Sequence, residues 1–178
     1  MIAGEFGGRT LVAPRGQGTR PTSDRVREAL FSILGDVAGV AVLDLFAGSG
    51  ALAIEALSRG ASRATLVDSS GAAIAAARRN LEALGLEADV RRQAVLPFLR
   101  NAAVQRQHYD LVFVDPPYRN ASGLSEELGA ALEPVLGPEA RVVCESDRRA
   151  PLHLALTTLD QLAERVYGDT LISIYGPR

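Results

Sequence analysis

At 178 residues, with 47% hydrophobic and 22% charged residues, the chain has the size and content of one globular domain, not of a disordered segment or a multidomain assembly. A formal net charge of −2 removes any global basicity that would announce a nucleic-acid partner. A single cysteine, Cys144, excludes an internal disulfide and a cysteine-rich metal site, and its place in "RVVCES" predicts a buried, inert strand residue. No apolar run approaches the ~20 residues of a membrane span and no signal-peptide pattern opens the chain, so a cytoplasmic protein is expected.

The first segment, "MIAGEFGGRTLVAPRGQGTRPTSD", is rich in glycine, proline and arginine. From Arg9 to Arg27 it carries five arginines and one acid, Asp24, a local charge opposite to that of the whole chain. A short hairpin around Gly7-Gly8 is predicted, and residues 1–21 read as an arm ahead of a domain over 22–178. Thr22 or Ser23 then caps a helix whose apolar residues Val26, Ala29, Leu30, Ile33 and Leu34 share one face, with Gly35 as terminator.

From Val40 strands and helices alternate. The strands "VAVLDLF", "RATLVDS", "ADVRRQ", "DLVFVD" and "ARVVCES" are separated by helical stretches such as Ala51–Arg59 and Gly71–Leu84, each followed by glycine. Such alternation predicts an α/β fold, a parallel sheet with helices on both faces. The tail departs from it: "LAERVY", Gly168-Asp169 and "TLISIYG" read as an antiparallel hairpin. Five parallel strands and this hairpin make a seven-stranded sheet.

"VLDLFAGSGALAIEAL" reads as strand, glycine turn and helix, and Gly48, Gly50 and Ala53 fit the spacing of a dinucleotide loop. Alone that is weak, because many such matches are only tight turns. Two acids sharpen it. Asp68 ends the next strand, where it can accept hydrogen bonds from ribose hydroxyls. Asp44 lies beside the loop, where it would repel a pyrophosphate but suit the cationic end of S-adenosylmethionine (SAM). A dehydrogenase is thus the weaker reading.

The fourth strand ends in Asp115-Pro116-Pro117-Tyr118, at the same carboxyl edge as the glycine loop. An exocyclic amine of a nucleobase is a poor nucleophile, since its lone pair is conjugated into the ring. The Asp115 carboxylate and the Pro116 carbonyl can each accept one N–H bond, which favours a pyramidal nitrogen with its lone pair directed at a methyl donor. The prolines would hold these acceptors rigid, and Tyr118 offers a face for an extruded base. A proline-terminated strand with a capping acid is the plainer alternative.

Together, "IAGEFGGRTLVAP…GTRPTSDRVREALFSIL", "VLDLFAGSGALAIEALSRGA", "VFVDPPY" and "YGDTLISIY" resemble the RsmD-type 16S rRNA guanine-N2 methyltransferases, over essentially the whole chain. The glycine and D-P-P-Y motifs would fit any amino-methyltransferase of nucleic acid; the "RPTSDRVREALF" block selects this family. The resemblance implies a class I, Rossmann-like SAM-dependent methyltransferase fold with a small N-terminal β-hairpin extension. It implies methyl transfer from SAM to the N2 amine of one guanine of 16S rRNA (nucleotide 966 in standard rRNA numbering), on the small ribosomal subunit or its assembly intermediate.

By the same resemblance, Asp115, Pro116, Pro117 and Tyr118 hold the target guanine. Asp44, Phe46, Ala47, Gly48, Ser49 and Gly50 form the methionine-side cofactor loop, with Asp68 and Ser69 at the ribose and Gln93-Ala94 at the adenine. Gln93 departs from the Asp or Asn frequent in that loop. Arg9, Arg15, Arg20, Pro21, Thr22, Arg25 and Arg119 are the expected RNA-facing residues. A DNA adenine-N6 methyltransferase is the alternative sharing D-P-P-Y, although it usually carries a separate target-recognition domain. His108 and His153 lack partners at ligand spacing, so no metal is expected. The pairs Arg78-Arg79, Arg91-Arg92 and Arg148-Arg149 read as solvated faces.

Overall fold

The computed structural model describes residues 4–5, 8, 10–13, 24–117 and 124–177. Helix α1 (Asp24–Leu34) precedes an alternating series: β1 (Ala41–Leu45), α2 (Ala51–Ser58), β2 (Arg63–Asp68), α3 (Gly71–Leu84), β3 (Asp89–Arg92), α4 (Val95–Val104), β4 (Tyr109–Val114) and α5 (Leu124–Leu132). Three strands follow, β5 (Leu136–Asp147), β6 (Asp160–Tyr167) and β7 (Thr170–Gly176). They form one seven-stranded sheet in the order β3-β2-β1-β4-β5-β7-β6. β1 to β5 pair in parallel, whereas β7 runs antiparallel to both β5 and β6. The predicted terminal hairpin is present, with Tyr167 opposite Thr170 and Gly168 at φ 63° first in its two-residue turn.

The central strands are apolar throughout because both faces are covered. Leu43, Leu45, Val112, Val114, Val142 and Cys144 pack with Phe98 and Leu99 of α4 and Leu128 and Leu132 of α5. The alternate residues Val42, Leu111, Phe113 and Val143 pack with Val26, Leu30, Phe31 and Leu34 of α1 and Leu52, Ala53 and Ala56 of α2. Edge strand β3 presents Asp89, Arg91 and Arg92 to solvent, which discourages pairing with another chain.

Helix α1 buries a different stripe from the one its apolar residues suggest. Val26, Arg27, Leu30, Phe31 and Leu34 face inward, while Ile33 is 42% exposed. The cause is a partner on α2. The Arg27 guanidinium bonds Asp24 at 2.6 Å and lies 3.7 Å from buried Glu55, which Arg59 also contacts at 2.9 Å. Arg59 in turn covers the Phe31 ring at 4.7 Å. An arginine that meets a buried carboxylate can turn inward, and the helix rotates with it.

Of the arm, Leu11 packs against Ile54, Leu81 and Leu84 of α2 and α3, and the Glu5 N–H donates to the Ser58 carbonyl at 3.0 Å. The predicted hairpin falls largely outside the described residues, and among those described before Asp24 none lies in a strand. No helix among the described residues is long and apolar enough to cross a membrane.

Candidate active site

Strand order reverses between β1 and β4, because β2 and β3 extend the sheet to one side of β1 while β4 lies on the other. Open α/β sheets bind ligands in the crevice at such a point, beyond the carboxyl ends of the strands. The glycine loop and the D-P-P segment both leave the sheet there.

The loop begins with Phe46 at φ 61°, a left-handed conformation uncommon for a bulky side chain. Ala47 continues the sheet by donating to the Val67 carbonyl at 3.1 Å. Gly48, at φ 56°, donates to Asp68 Oδ2 at 2.9 Å, and a side chain placed on it would meet nothing within 4 Å. Gly50, at φ 78°, has a different duty. A Cβ there would fall 2.6 Å from Leu66 Cδ2, so its bare Cα lets α2 seat against β2. Gly48 therefore faces open space and Gly50 faces the core.

Asp44 lies beneath the loop, 2% exposed, with Oδ2 accepting the Ala53 N–H in the first turn of α2 at 3.1 Å. Burial pushes its carboxyl up to about 8; the Ala53 bond opposes the rise and the charge of Asp68 adds to it. Asp68 accepts the Gly48 N–H on one oxygen and the Ser70 N–H on the other at 2.8 Å. Each oxygen keeps a lone pair for a further donor. The Gln93 N–H donates to the Asp68 carbonyl at 3.0 Å, which brings the ends of β2 and β3 together, with exposed Ser69 and Ala94 beside them.

Asp115 follows β4 immediately, half-buried, with buried Pro116 and exposed Pro117 after it. Its carboxyl is raised well above the usual carboxylate range by burial, then by the charges of Glu145 and Asp44. Glu145 is 5% exposed and directly follows Cys144, the register partner of Val114, so it stands beside Asp115 at the strand ends. Cys144 itself is fully buried, as expected, with its thiol pushed up to about 12 by burial and then by the charges of Asp115 and Glu145.

The structure thus gathers Asp44, Phe46, Ala47, Gly48, Ser49, Gly50, Asp68, Ser69, Gln93, Ala94, Asp115, Pro116 and Pro117 along one carboxyl edge. Arg25 is exposed in the first turn of α1. Arg9, Arg15, Arg20, Pro21, Thr22, Tyr118 and Arg119 lie outside the described residues. No group of acids, histidines and cysteine among the described residues could hold a metal.

Two site residues escaped the sequence reading. Glu145 was legible in principle, as the acid that closes the apolar run Val142-Val143-Cys144, much as Asp68 and Asp115 close theirs. Asn80 of α3 was not, because its partners are brought to it only by the fold: its side chain bonds the main chain of Ser49 and of Val12. The crevice fits a nucleoside that bears positive charge. Acids surround it, Gly48 leaves it open, and Asp68 has acceptors for vicinal hydroxyls.

Comparison with known proteins agrees with this description. The model of a family described as conserved hypothetical protein 95 matches residues 1–176. Ribosomal RNA small subunit methyltransferase D of Escherichia coli K12 is 38% identical, over 98% of this chain and 88% of its own. The solved structure described as "Putative methyltransferase yhhF from Escherichia coli" superposes with a TM-score of 0.83 at 37% identity, over 100% of this chain and 97% of its own. At 20% identity a solved structure of SMU.776, complexed with SAH, shares the fold over 85% of this chain and 48% of its own, with a TM-score of 0.69.

Proposed function

Since the chain belongs to the conserved hypothetical protein 95 family, the RsmD family of rRNA methyltransferases, we propose that it methylates the N2 amine of one guanine in small-subunit rRNA, using SAM. The observation that carries this reading is Asp115, a half-buried carboxyl that follows β4 and donates its N–H to the Leu45 carbonyl, at the same carboxyl edge of the sheet as the Gly48 loop.

When bound, SAM supplies an electrophilic methyl group on a sulfonium. The chain's own residues do the rest. The α2 N-terminus and the Gly48–Gly50 loop receive the amino-acid end, with Asp44 beneath as a counter-charge. Asp68 accepts from the ribose hydroxyls, and the Gln93-Ala94 turn closes the far end of the groove. Asp115 and the Pro116 carbonyl accept the two N–H bonds of the guanine amine and orient its lone pair. As the nitrogen took the methyl, the S–CH3 electron pair would stay on sulfur as the thioether of SAH, and the nitrogen, now cationic, would have to shed a proton. The Asp115 carboxylate, which accepts one of the amine's N–H bonds, would be the group placed to take it. Arg25 and the arginines of the arm supply phosphate contacts.

The DNA alternative is less favoured. Two relatives similar over nearly the whole chain are named for ribosomal RNA. The deciding experiment incubates the protein and isotopically labelled SAM with small-subunit particles lacking the mark, naked rRNA and duplex DNA, then digests each to nucleosides. Labelled N2-methylguanosine from the particles is expected, with weaker labelling of naked rRNA; N6-methyladenosine from DNA at a comparable rate would replace this reading with its rival. Asp115→Ala is expected to keep cofactor affinity while losing ~10²-fold or more in turnover, since its bonds act on the reacting amine.

A further inference from the structure

Asn80 makes the contacts of a latch between two parts of the chain distant in sequence. It lies on α3 and is 3% exposed. Its Nδ2 donates to the Ser49 carbonyl at 3.0 Å, inside the glycine loop, and to the Val12 carbonyl at 3.0 Å, in the arm. Its Oδ1 accepts the Val12 N–H at 2.7 Å. One amide therefore pairs with both main-chain groups of Val12, as a neighbouring strand would, and spends its remaining proton on the loop. The pairing fixes the amide's orientation, because a flipped group would set N–H against N–H at Val12 and leave two carbonyls facing oxygen.

Asn80 is a principal tie at both ends among the described residues. Val12 is 52% exposed, although Leu11 beside it packs against Ile54, Leu81 and Leu84. Ser49 lies between two glycines, Gly48 and Gly50, both at positive φ, in a loop whose conformation must be set by its hydrogen bonds. Gly48 is bonded to Asp68, Gly50 to Ala47, and the Ser49 carbonyl to Asn80. With Asn80 engaged, that carbonyl is tied to α3.

We propose that Asn80 is a positioning residue that couples the N-terminal arm to the cofactor loop, so that arm docking and cofactor binding each strengthen the other. The coupling is reciprocal by thermodynamic necessity: a cofactor that prefers the ordered loop must favour the docked arm by the same factor. In an enzyme whose arm faces RNA, this device would link cofactor loading to readiness for the substrate. The inference rests on the reading of the groove as a SAM site and of the arm as RNA-facing.

The test uses the full chain, with SAH as ligand and trypsin as a probe of the arm, where Arg9 and Arg15 provide cleavage sites. Calorimetry gives SAH affinity, and mass spectrometry of early digests gives the rate of arm cleavage with and without SAH. In the unsubstituted chain SAH should slow that cleavage by about fivefold or more, the lower end of ordinary coupling between sites. Asn80→Ala should weaken SAH binding by about fivefold, speed cleavage in the arm, and abolish the protection by SAH. Because protection is a ratio, a general loss of stability does not by itself remove it.

Val12→Pro deletes the N–H that Asn80 accepts and leaves the loop's own contact in place. It too should weaken SAH binding, and the double variant should be no worse than Asn80→Ala alone. Additive effects, or unchanged SAH protection of the arm in Asn80→Ala, would overturn the latch while leaving the cofactor site intact. Failure of the unsubstituted chain to bind SAH would overturn the cofactor reading and the latch together.

Discussion

Asp44 shows how a single carboxyl can be set for a cation it does not yet touch. In the folded chain burial holds it up at about 8 from an ordinary 3.8. Below 3.8 it is protonated whether the chain is folded or not, and folding is not penalised. Between 3.8 and about 8 the unfolded chain releases the proton while the folded one retains it, so this group lowers stability as pH rises through that window. The loss is about 1.4 kcal/mol for each pH unit, and it levels off above the folded value. Asp44→Asn keeps an oxygen for the Ala53 N–H and cannot ionise. Melting the cofactor-free variant at pH 5, 6.5 and 8 should therefore give a flatter decline than the unsubstituted chain. The same variant should bind SAH more weakly at pH 8, where a counter-charge has been removed. Equal slopes in the two chains would show that Asp44 does not titrate in this window.

Among the elements, the glycine loop divides its work between two residues that a sequence motif treats alike. Gly50→Ala places a methyl 2.6 Å from the Leu66 side chain at φ 78°, at the seat of α2 on β2. It should cost stability, about 1–3 kcal/mol from overpacking together with backbone strain. Gly48→Ala meets open space, and its cost is the strain of φ 56° alone. The new methyl would instead stand in the groove. Gly48→Ala is expected to melt close to the unsubstituted chain yet bind SAH at least tenfold more weakly, whereas Gly50→Ala is expected to melt earlier. Thermal melts beside calorimetry separate the two, and the reverse ranking would mean that the faces of the loop are misassigned.

For the molecule as a whole, the unequal distribution of charge matters more than its sum. The three acids Asp44, Asp115 and Glu145 stand at the strand ends, on the sheet face covered by α1 and α2. The stretch that leads into α1 is the chain's most cationic, with five arginines between Arg9 and Arg27. Arg27 is committed to Asp24 and Glu55, whereas Arg25 is exposed. If Arg9, Arg15, Arg20 and Arg25 each meet one phosphate, binding of small-subunit RNA should weaken with salt by ~0.7–0.9 log units per contact per tenfold change. Changing all four to glutamine should flatten that slope by about three, with SAH affinity nearly unchanged. An unchanged slope would move the RNA surface to the exposed pairs such as Arg78-Arg79 and Arg148-Arg149.

Local pattern fixes what depends on neighbours in the chain. The βα alternation, the caps at Gly35 and Gly85, the Gly168 turn and the acids at the ends of β2 and β4 were all legible, because each reflects backbone geometry within a few residues. The positions of Asp68 and Asp115 could be anticipated for the same reason: a residue at the end of a strand must stand at the carboxyl edge of a parallel sheet. What the sequence could not decide were pairings across long separations. Arg27 turns inward because Glu55 meets it from another helix, which rotated α1 away from the stripe its apolar residues suggest. Glu145 matters because β5 lies in register beside β4, and Asn80 because α3 is brought against both Ser49 and Val12. A polar side chain announces its capacity to bond but not its partner, and only packing supplies the partner.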